Sequence, residues 1–110
     1  MDDADGIIIP ILRSIGCDIS EDIKSAAQFE AGLLVHALGK CLHKINDQKY
    51  EKIPEKLPTS IAKRVQAGTL IANALAKDLN YRGEVGYDKV IYPNEKDTRS
   101  LLRFVVSKLP

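Results

Sequence analysis

The sequence predicts an all-α domain with four main helices and short helical turns. Three observations support this prediction: apolar residues recur every three or four positions in four segments, no segment alternates with the two-residue period of a strand, and helix-capping residues flank the four segments. A chain of 110 residues, of which 45% are hydrophobic, is typical of one domain spanning residues 1–110.

The first helix is predicted within DDADGIIIPILRSIG, residues 2–16. Acidic residues at its start suit the helix dipole, and Gly16 can end it in the left-handed conformation. Ile9 falls outside the predicted apolar face, and Pro10 should kink or shorten the helix. That face contains Ile7, Ile8, Ile11, Leu12 and Ile15.

The second helix is predicted within SAAQFEAGLLVHALGKCLHKI, residues 25–45, which is the clearest amphipathic segment of the chain. A charged segment with two prolines, residues 46–58, follows it. Its length predicts a loop that is mobile or faces a partner.

The third helix is predicted within residues 59–80, where Thr59 or Ser60 can cap its start. Asn80 can end it, because asparagine tolerates the left-handed conformation better than most residues. The predicted apolar stripe of this helix contains Ile61, Val65, Ala72, Leu75 and Leu79.

The last helix follows a short helical turn and a break at Pro93. Asn94 is the predicted cap, with Asp97 at the third helical position in a capping-box arrangement. The apolar face of this helix contains Leu101, Leu102, Phe104, Val105 and Leu109.

Composition excludes several classes of function. Sixteen basic and fifteen acidic residues give a net charge of +1, which supplies no strong field for nucleic acid, microtubules or anionic membranes. Asp2, Asp3 and Asp5 stand where a signal peptide would be basic, so we expect a soluble, intracellular protein without membrane insertion. Two cysteines without metal-binding or CxxC spacing are expected to be reduced thiols.

The side chains form no recognisable catalytic pattern. His36 and His43 lie seven positions apart, so about 10 Å separates them along a helix, which is too far for a chelating pair. There is no nucleophile motif and no glycine-rich phosphate loop. We therefore expect no enzymatic activity, no catalytic residue, no metal and no cofactor.

Three tyrosines near the C-terminus have two interpretations. Tyr81, Tyr87 and Tyr92 could form a stacking platform for nucleic acid bases. The favoured interpretation is that their rings pack between the last two helices with the hydroxyl groups at the edge. We expect no nucleic acid partner.

Two stretches, LPTSIAKR (57–64) and KDLNYRGEVGYDKVIYPNEKDTRSLLRFVVSKLP (77–110), resemble the divergent calponin-homology-like (NN-CH) domain at the head of several coiled-coil proteins. Kinetochore microtubule-binding subunits and some ciliary transport subunits carry such a domain. Pro10 departs from the family pattern, and Asn80 stands where glycine is expected. The most specific residues are Gly86, Tyr87, Tyr92, Pro93, Glu95, Asp97, Arg99, Ser100, Leu101, Leu102, Phe104, Leu109 and Pro110.

The resemblance implies a calponin-homology-like fold and a non-enzymatic adaptor. The family member that the chain is similar to is a subunit of an endosomal recycling assembly that contains COMM-domain proteins and a paralogous coiled-coil subunit. That member is linked to NF-κB signalling and to cullin ubiquitin ligases. The resemblance thus implies a cytoplasmic, endosome-associated or centrosomal protein that continues into a linker and coiled coil, with a monomeric N-terminal domain.

The alternative function is binding to microtubules, by analogy with the kinetochore relatives, and the small net charge argues against it. For the adaptor, we expect partners to dock on the first helix and the connector after it. The predicted partner-binding residues are Ile9, Arg13, Gly16 and Cys17. Ile9 is predicted to lie off the core-facing stripe, Arg13 follows it by one helical turn, and Gly16 and Cys17 begin the connector.

Overall fold

A computed structural model describes residues 4–110, and all regular structure in that range is helical. A 3₁₀ turn (Ala26–Gln28), a π-helical segment (Ala74–Asp78) and the short helix α4 (Tyr87–Ile91) add to four longer helices. The longer helices are α1 (Asp5–Ser14), α2 (Ala31–Ile45), α3 (Ile61–Asn73) and α5 (Glu95–Ser107). The prediction of an all-α domain with four main helices and short helical turns is confirmed.

α1 continues through Pro10, and Gly16 has a φ of +102°, the left-handed conformation predicted for it. The predicted apolar face of α1 is wrong by about one residue step around the helix. Ile7 is 63% exposed, and the buried residues are Asp5, Ile8, Ile9 and Leu12. Asp2 and Asp3, also predicted to start this helix, lie outside the described residues.

A buried carboxylate sets the rotation of α1. Asp5 accepts two hydrogen bonds from the Arg99 guanidinium of α5, at 2.9 and 2.8 Å, and one from the Ala26 backbone N–H at 3.0 Å. The Arg99 hydrogen bonds, opposed by burial, lower the pKa of Asp5. Asp5 lies on the same face of α1 as Ile8, Ile9 and Leu12, so its pairing with Arg99 and the burial of these three side chains require the same rotation of the helix.

The predicted second helix is divided into two elements. Ser25 and Gln28 form a capping box around the 3₁₀ turn, and the backbone of Phe29 and Glu30 is then extended. α2 begins only at Ala31. The Phe29 side chain is nevertheless buried.

Local capping around α3 follows the prediction. The Ser60 hydroxyl accepts a hydrogen bond from the Lys63 N–H at 3.2 Å. After the π-helical segment, Asn80 has a φ of +62°, and the Tyr81 N–H bonds to the Leu75 carbonyl at 2.9 Å to close the helix. Ile61, predicted to belong to the apolar stripe, is 75% exposed.

Capping also positions α5 against α4. The Asn94 side chain accepts a hydrogen bond from the Asp97 N–H at 2.9 Å, as predicted, and donates one to the Asp97 carboxylate at 2.7 Å. Lys89 of α4 forms an ion pair with the same carboxylate at 2.9 Å. α5 then buries three apolar residues, Leu101, Leu102 and Val105.

The core is aliphatic and lies where α2 meets α3, α4 and α5. Its largest fully buried apolar side chains are Leu12, Leu34, Val35, Leu38, Leu42, Ile71, Leu75, Val90, Leu101, Leu102 and Val105. α1 closes the core from the side of α5. The ends of the core carry the polar contacts that decide which surfaces remain free.

Candidate functional site

Two of the four predicted partner-binding residues are buried. Ile9 is 3% exposed and Cys17 is 6% exposed, and both belong to the core. Ile9 shares the inward face of α1 with Asp5, so the prediction that Ile9 lies off the core-facing stripe is wrong. Neither side chain therefore offers a docking surface in this fold.

The other two residues shape the connector after α1. The Arg13 guanidinium donates hydrogen bonds to the carbonyls of Ser20 at 2.8 Å, Ile23 at 3.2 Å and Ile19 at 3.4 Å. Gly16 is exposed and reverses the chain direction through its positive φ. Arg13 and Gly16 thus hold the connector against α1. This structural role explains both residues without a binding partner.

The solvent-exposed surface of α1 is a different set of residues. We define the α1 outer face as Ile7, Pro10, Ile11 and Ser14, which share one side of the helix. Ile7, Pro10 and Ser14 are exposed, and Ile11 is half-buried. This face has no charged side chain. Sequence periodicity missed it because Ile7 and Ile11 were placed in the core.

The segment 46–58 is packed on α2. Tyr50 and Ile53 are buried, and the Tyr50 hydroxyl donates a hydrogen bond to Asp78 at 3.1 Å. Glu55 forms ion pairs with Lys40, at 3.3 Å, and with His43. The prediction of a mobile loop therefore does not hold for the residues that pack on α2.

The two histidines of α2 have different hydrogen-bond partners. His36 accepts a hydrogen bond from the Asp18 N–H at 3.0 Å and donates one to the Glu55 carbonyl at 2.9 Å. Both ring nitrogens of His43 face acceptors, the Glu55 carboxylate and the Tyr50 carbonyl, the latter at 2.8 Å. Burial opposes a charge on His43, but these two acceptors outweigh it and raise its pKa.

The cysteines and acidic residues form no reactive cluster in the part of the chain that the structure describes. Burial raises the pKa of the Cys17 thiol to about 11 and that of Cys41 to about 12, so both stay protonated and unreactive. Within residues 4–110, no three His, Cys, Asp or Glu side chains are placed to hold a metal ion. No helix there has the length and apolar character needed to cross a membrane.

The three tyrosines do not form one platform. The rings of Tyr81 and Phe104 meet edge to face, with 5.0 Å between their centres, so Tyr81 packs on α5 as predicted. Tyr87 is 43% exposed and Tyr92 is 67% exposed. The favoured interpretation, packing between the last helices, therefore holds for Tyr81 and is wrong for Tyr92.

Comparisons with known proteins place the chain in a family. The family model described as the CCDC22 protein N-terminal domain matches residues 1–110. Curated relatives named coiled-coil domain-containing protein 22, or its homolog, are 47% identical in Nematostella vectensis, 41% in Xenopus tropicalis and 37% in Dictyostelium discoideum. Each match covers 100% of this chain and 17% of the relative.

These relatives confirm the family member to which the sequence resemblance pointed. The family is named for coiled-coil proteins, and the matched part is the N-terminal sixth of those proteins. The chain belongs to the coiled-coil domain-containing protein 22 family and corresponds to its N-terminal domain.

Proposed function

We propose that this chain is a non-enzymatic protein-interaction module of an endosomal recycling scaffold, and that it binds COMM-domain proteins. The family match over residues 1–110 carries the proposal. A paralogous coiled-coil subunit and cullin ubiquitin ligases are further proposed partners, and NF-κB signalling is the proposed pathway linked to them. The proposed location is the cytoplasm, at endosomes, with the centrosome as the alternative.

The α1 outer face is the proposed docking surface for the COMM-domain partner. Ile7 is 63% exposed and has Pro10 and Ile11 beside it, so an apolar contact can form there without burying a charge. This assignment keeps the first helix as the docking element and replaces Ile9 and Cys17, which are buried.

Calorimetric titration of the chain with purified COMM-domain proteins tests both the proposed binding and the proposed docking surface. Ile7→Asp should weaken binding by about tenfold or more, because it places a charge in an apolar contact. Ile61→Asp is the matched control, since Ile61 is another exposed isoleucine, on α3, and the affinity of this variant should equal that of the wild type. Both variants should keep the wild-type helical circular dichroism.

The outcomes of this titration distinguish an error in the proposed function from an error in the proposed docking surface. If the wild-type chain binds no COMM-domain protein, the proposed function is wrong. If binding occurs and the two isoleucine variants bind alike, COMM-domain binding stands and the α1 outer face is not the docking surface.

A further inference from the structure

A groove lies between the segment that follows α2 and the outer side of α3. One wall comes from residues 48–53 and the other from Leu70 and the π-helical segment, and the groove encloses about 360 Å³. We define the α3 groove by six lining residues: Lys49, Lys52, Ile53, Leu70, Ala74 and Lys77. None of these residues belongs to the α1 outer face.

The floor of the groove is apolar and continues along α3. Ile53 and Ala74 are buried beneath it, while Leu70 is 42% exposed at its edge. Leu70 also borders a second shallow depression, which is lined by Val65 and Lys63 further towards the start of α3. The two depressions therefore meet at the exposed Leu70 and together form one mainly apolar strip along α3.

The rim of the strip is basic. Residues 56–77 contain four basic side chains and no acidic one. Lys63 and Lys77 lie at opposite ends of the strip, and Lys52 lies on the opposite wall. Among the described residues, none of these three lysines forms an ion pair.

One of the two acidic residues at the groove is already neutralised by the fold. Asp78 accepts a hydrogen bond from the Tyr50 hydroxyl at 3.1 Å and pairs with Lys49 at 3.6 Å. Glu51 is the other acidic lining residue. The net charge that remains for a partner is therefore positive, because Lys52, Lys63 and Lys77 outnumber Glu51.

We propose that the α3 groove docks an amphipathic helix of a protein partner, with aliphatic residues towards Leu70 and acidic residues along its flanks. Fourteen positions separate Lys63 from Lys77, which corresponds to about 21 Å of helix, or a partner helix of about four turns. Helix-in-groove recognition uses such aliphatic positions on one face, and paired charges set the orientation. The π-helical segment forms part of one wall, and such segments recur at functional sites.

This surface is independent of the proposed COMM-domain docking on α1. The probe for the test is a fourteen-residue helical peptide with leucines on one face and glutamates on both flanks. One control peptide has lysine in place of every glutamate, and a second keeps the glutamates and has serine in place of every leucine. Nuclear magnetic resonance of the isotope-labelled chain reports which backbone amides shift.

The glutamate–leucine peptide should shift amide signals in residues 49–53 and 63–77, and both control peptides should bind at least about tenfold more weakly. Lys77→Glu and Leu70→Ser should each weaken binding, whereas Lys96→Glu, an exposed lysine on α5, should leave it unchanged. The lysine–leucine peptide should bind Lys77→Glu more tightly than it binds the wild type, because the charge at that end is reversed.

Four results would overturn the proposal. They are no shift with peptide up to ~1 mM, shifts confined to other surfaces, equal weakening by Lys77→Glu and Lys96→Glu, or equal binding of the serine control, because charge alone would then account for binding. Any of these results leaves the binding of COMM-domain proteins, measured separately, untouched.

Discussion

At the scale of the residue, His43 shows how the folded structure determines the protonation state of a side chain. Its two ring nitrogens face the Glu55 carboxylate and the Tyr50 carbonyl. Both nitrogens must therefore donate a hydrogen bond, which requires the positively charged ring with a proton on each nitrogen. His36, two helical turns away, accepts at one nitrogen and donates at the other. The same residue type on the same helix therefore has two different roles, and both stabilise the fold.

The protonated His43 predicts a stability that depends on pH. A raised histidine pKa stabilises the fold fully below the ordinary value of 6.5 and loses this contribution as the pH rises through the raised pKa. Hydrogen bonding to His43, opposed by burial and aided by Lys40, lowers the pKa of Glu55, whose contribution is lost as the pH falls below its ordinary value of 4.5. The advantage of the wild type over His43→Gln should therefore be largest between these two values.

Urea unfolding of both proteins from about pH 4 to pH 9 measures this difference. In a Glu55→Gln background the same comparison should vary less with pH, because the carboxylate that favours the charged ring is gone. A difference in unfolding free energy that stays constant, or grows towards alkaline pH, would contradict the assignment of a charged His43.

At the scale of the element, a single glycine lets the segment 46–58 pack on α2. Gly39 lies in the interior of α2, and a Cβ atom built there would overlap the Pro54 carbonyl oxygen. It would also lie 3.2 Å from the Pro54 carbonyl carbon and 3.3 Å from the Glu55 Cα. Glycine is a poor helix former, so its place here is explained by the close approach of another backbone.

Gly39→Ala should therefore destabilise the protein by roughly 1–3 kcal/mol, because the backbone at Pro54 must move away. Gly32→Ala is the matched control on the same helix, since no atom lies within 4 Å of a Cβ there. Its stability should be unchanged or increased by up to about 1 kcal/mol, because alanine favours the helix. Thermal and urea unfolding measure both, and equal effects of the two variants would show that the close approach does not matter.

At the scale of the whole molecule, the balance of charge bears on the alternative function. Sixteen basic residues against fifteen acidic ones leave a net charge of +1, so the domain has little long-range attraction for the acidic microtubule surface. The basic residues of the α3 groove are local and surround an apolar strip. A partner with both acidic and aliphatic residues suits this surface better than a purely acidic one.

The isolated chain should accordingly show weak or no co-sedimentation with microtubules at low salt, compared with a strongly basic microtubule-binding protein pelleted in parallel. Micromolar binding that weakens steeply with added salt would contradict this expectation and favour the cytoskeletal alternative.

Sequence by itself determined the features that depend on residues a few positions apart. The Ser60 and Asn94 caps and the left-handed Gly16 and Asn80 were all predicted, because each involves its own turn of backbone. The helical class followed from periodicity for the same reason. Family membership likewise came from the order of residues, most clearly in the run 77–110.

Only the tertiary structure decided which surfaces are free. The rotation of α1 depends on the contact between Asp5 and Arg99, which are 94 positions apart in sequence. The spacing of hydrophobic residues cannot reveal this rotation, because the buried Asp5 is a charged residue and is not counted among them. In the rotation that pairs Asp5 with Arg99, Ile9 is buried and Ile7 is exposed. The first helix was predicted correctly as an element, but its exposed side was not, because exposure depends on what the rest of the fold packs against the helix.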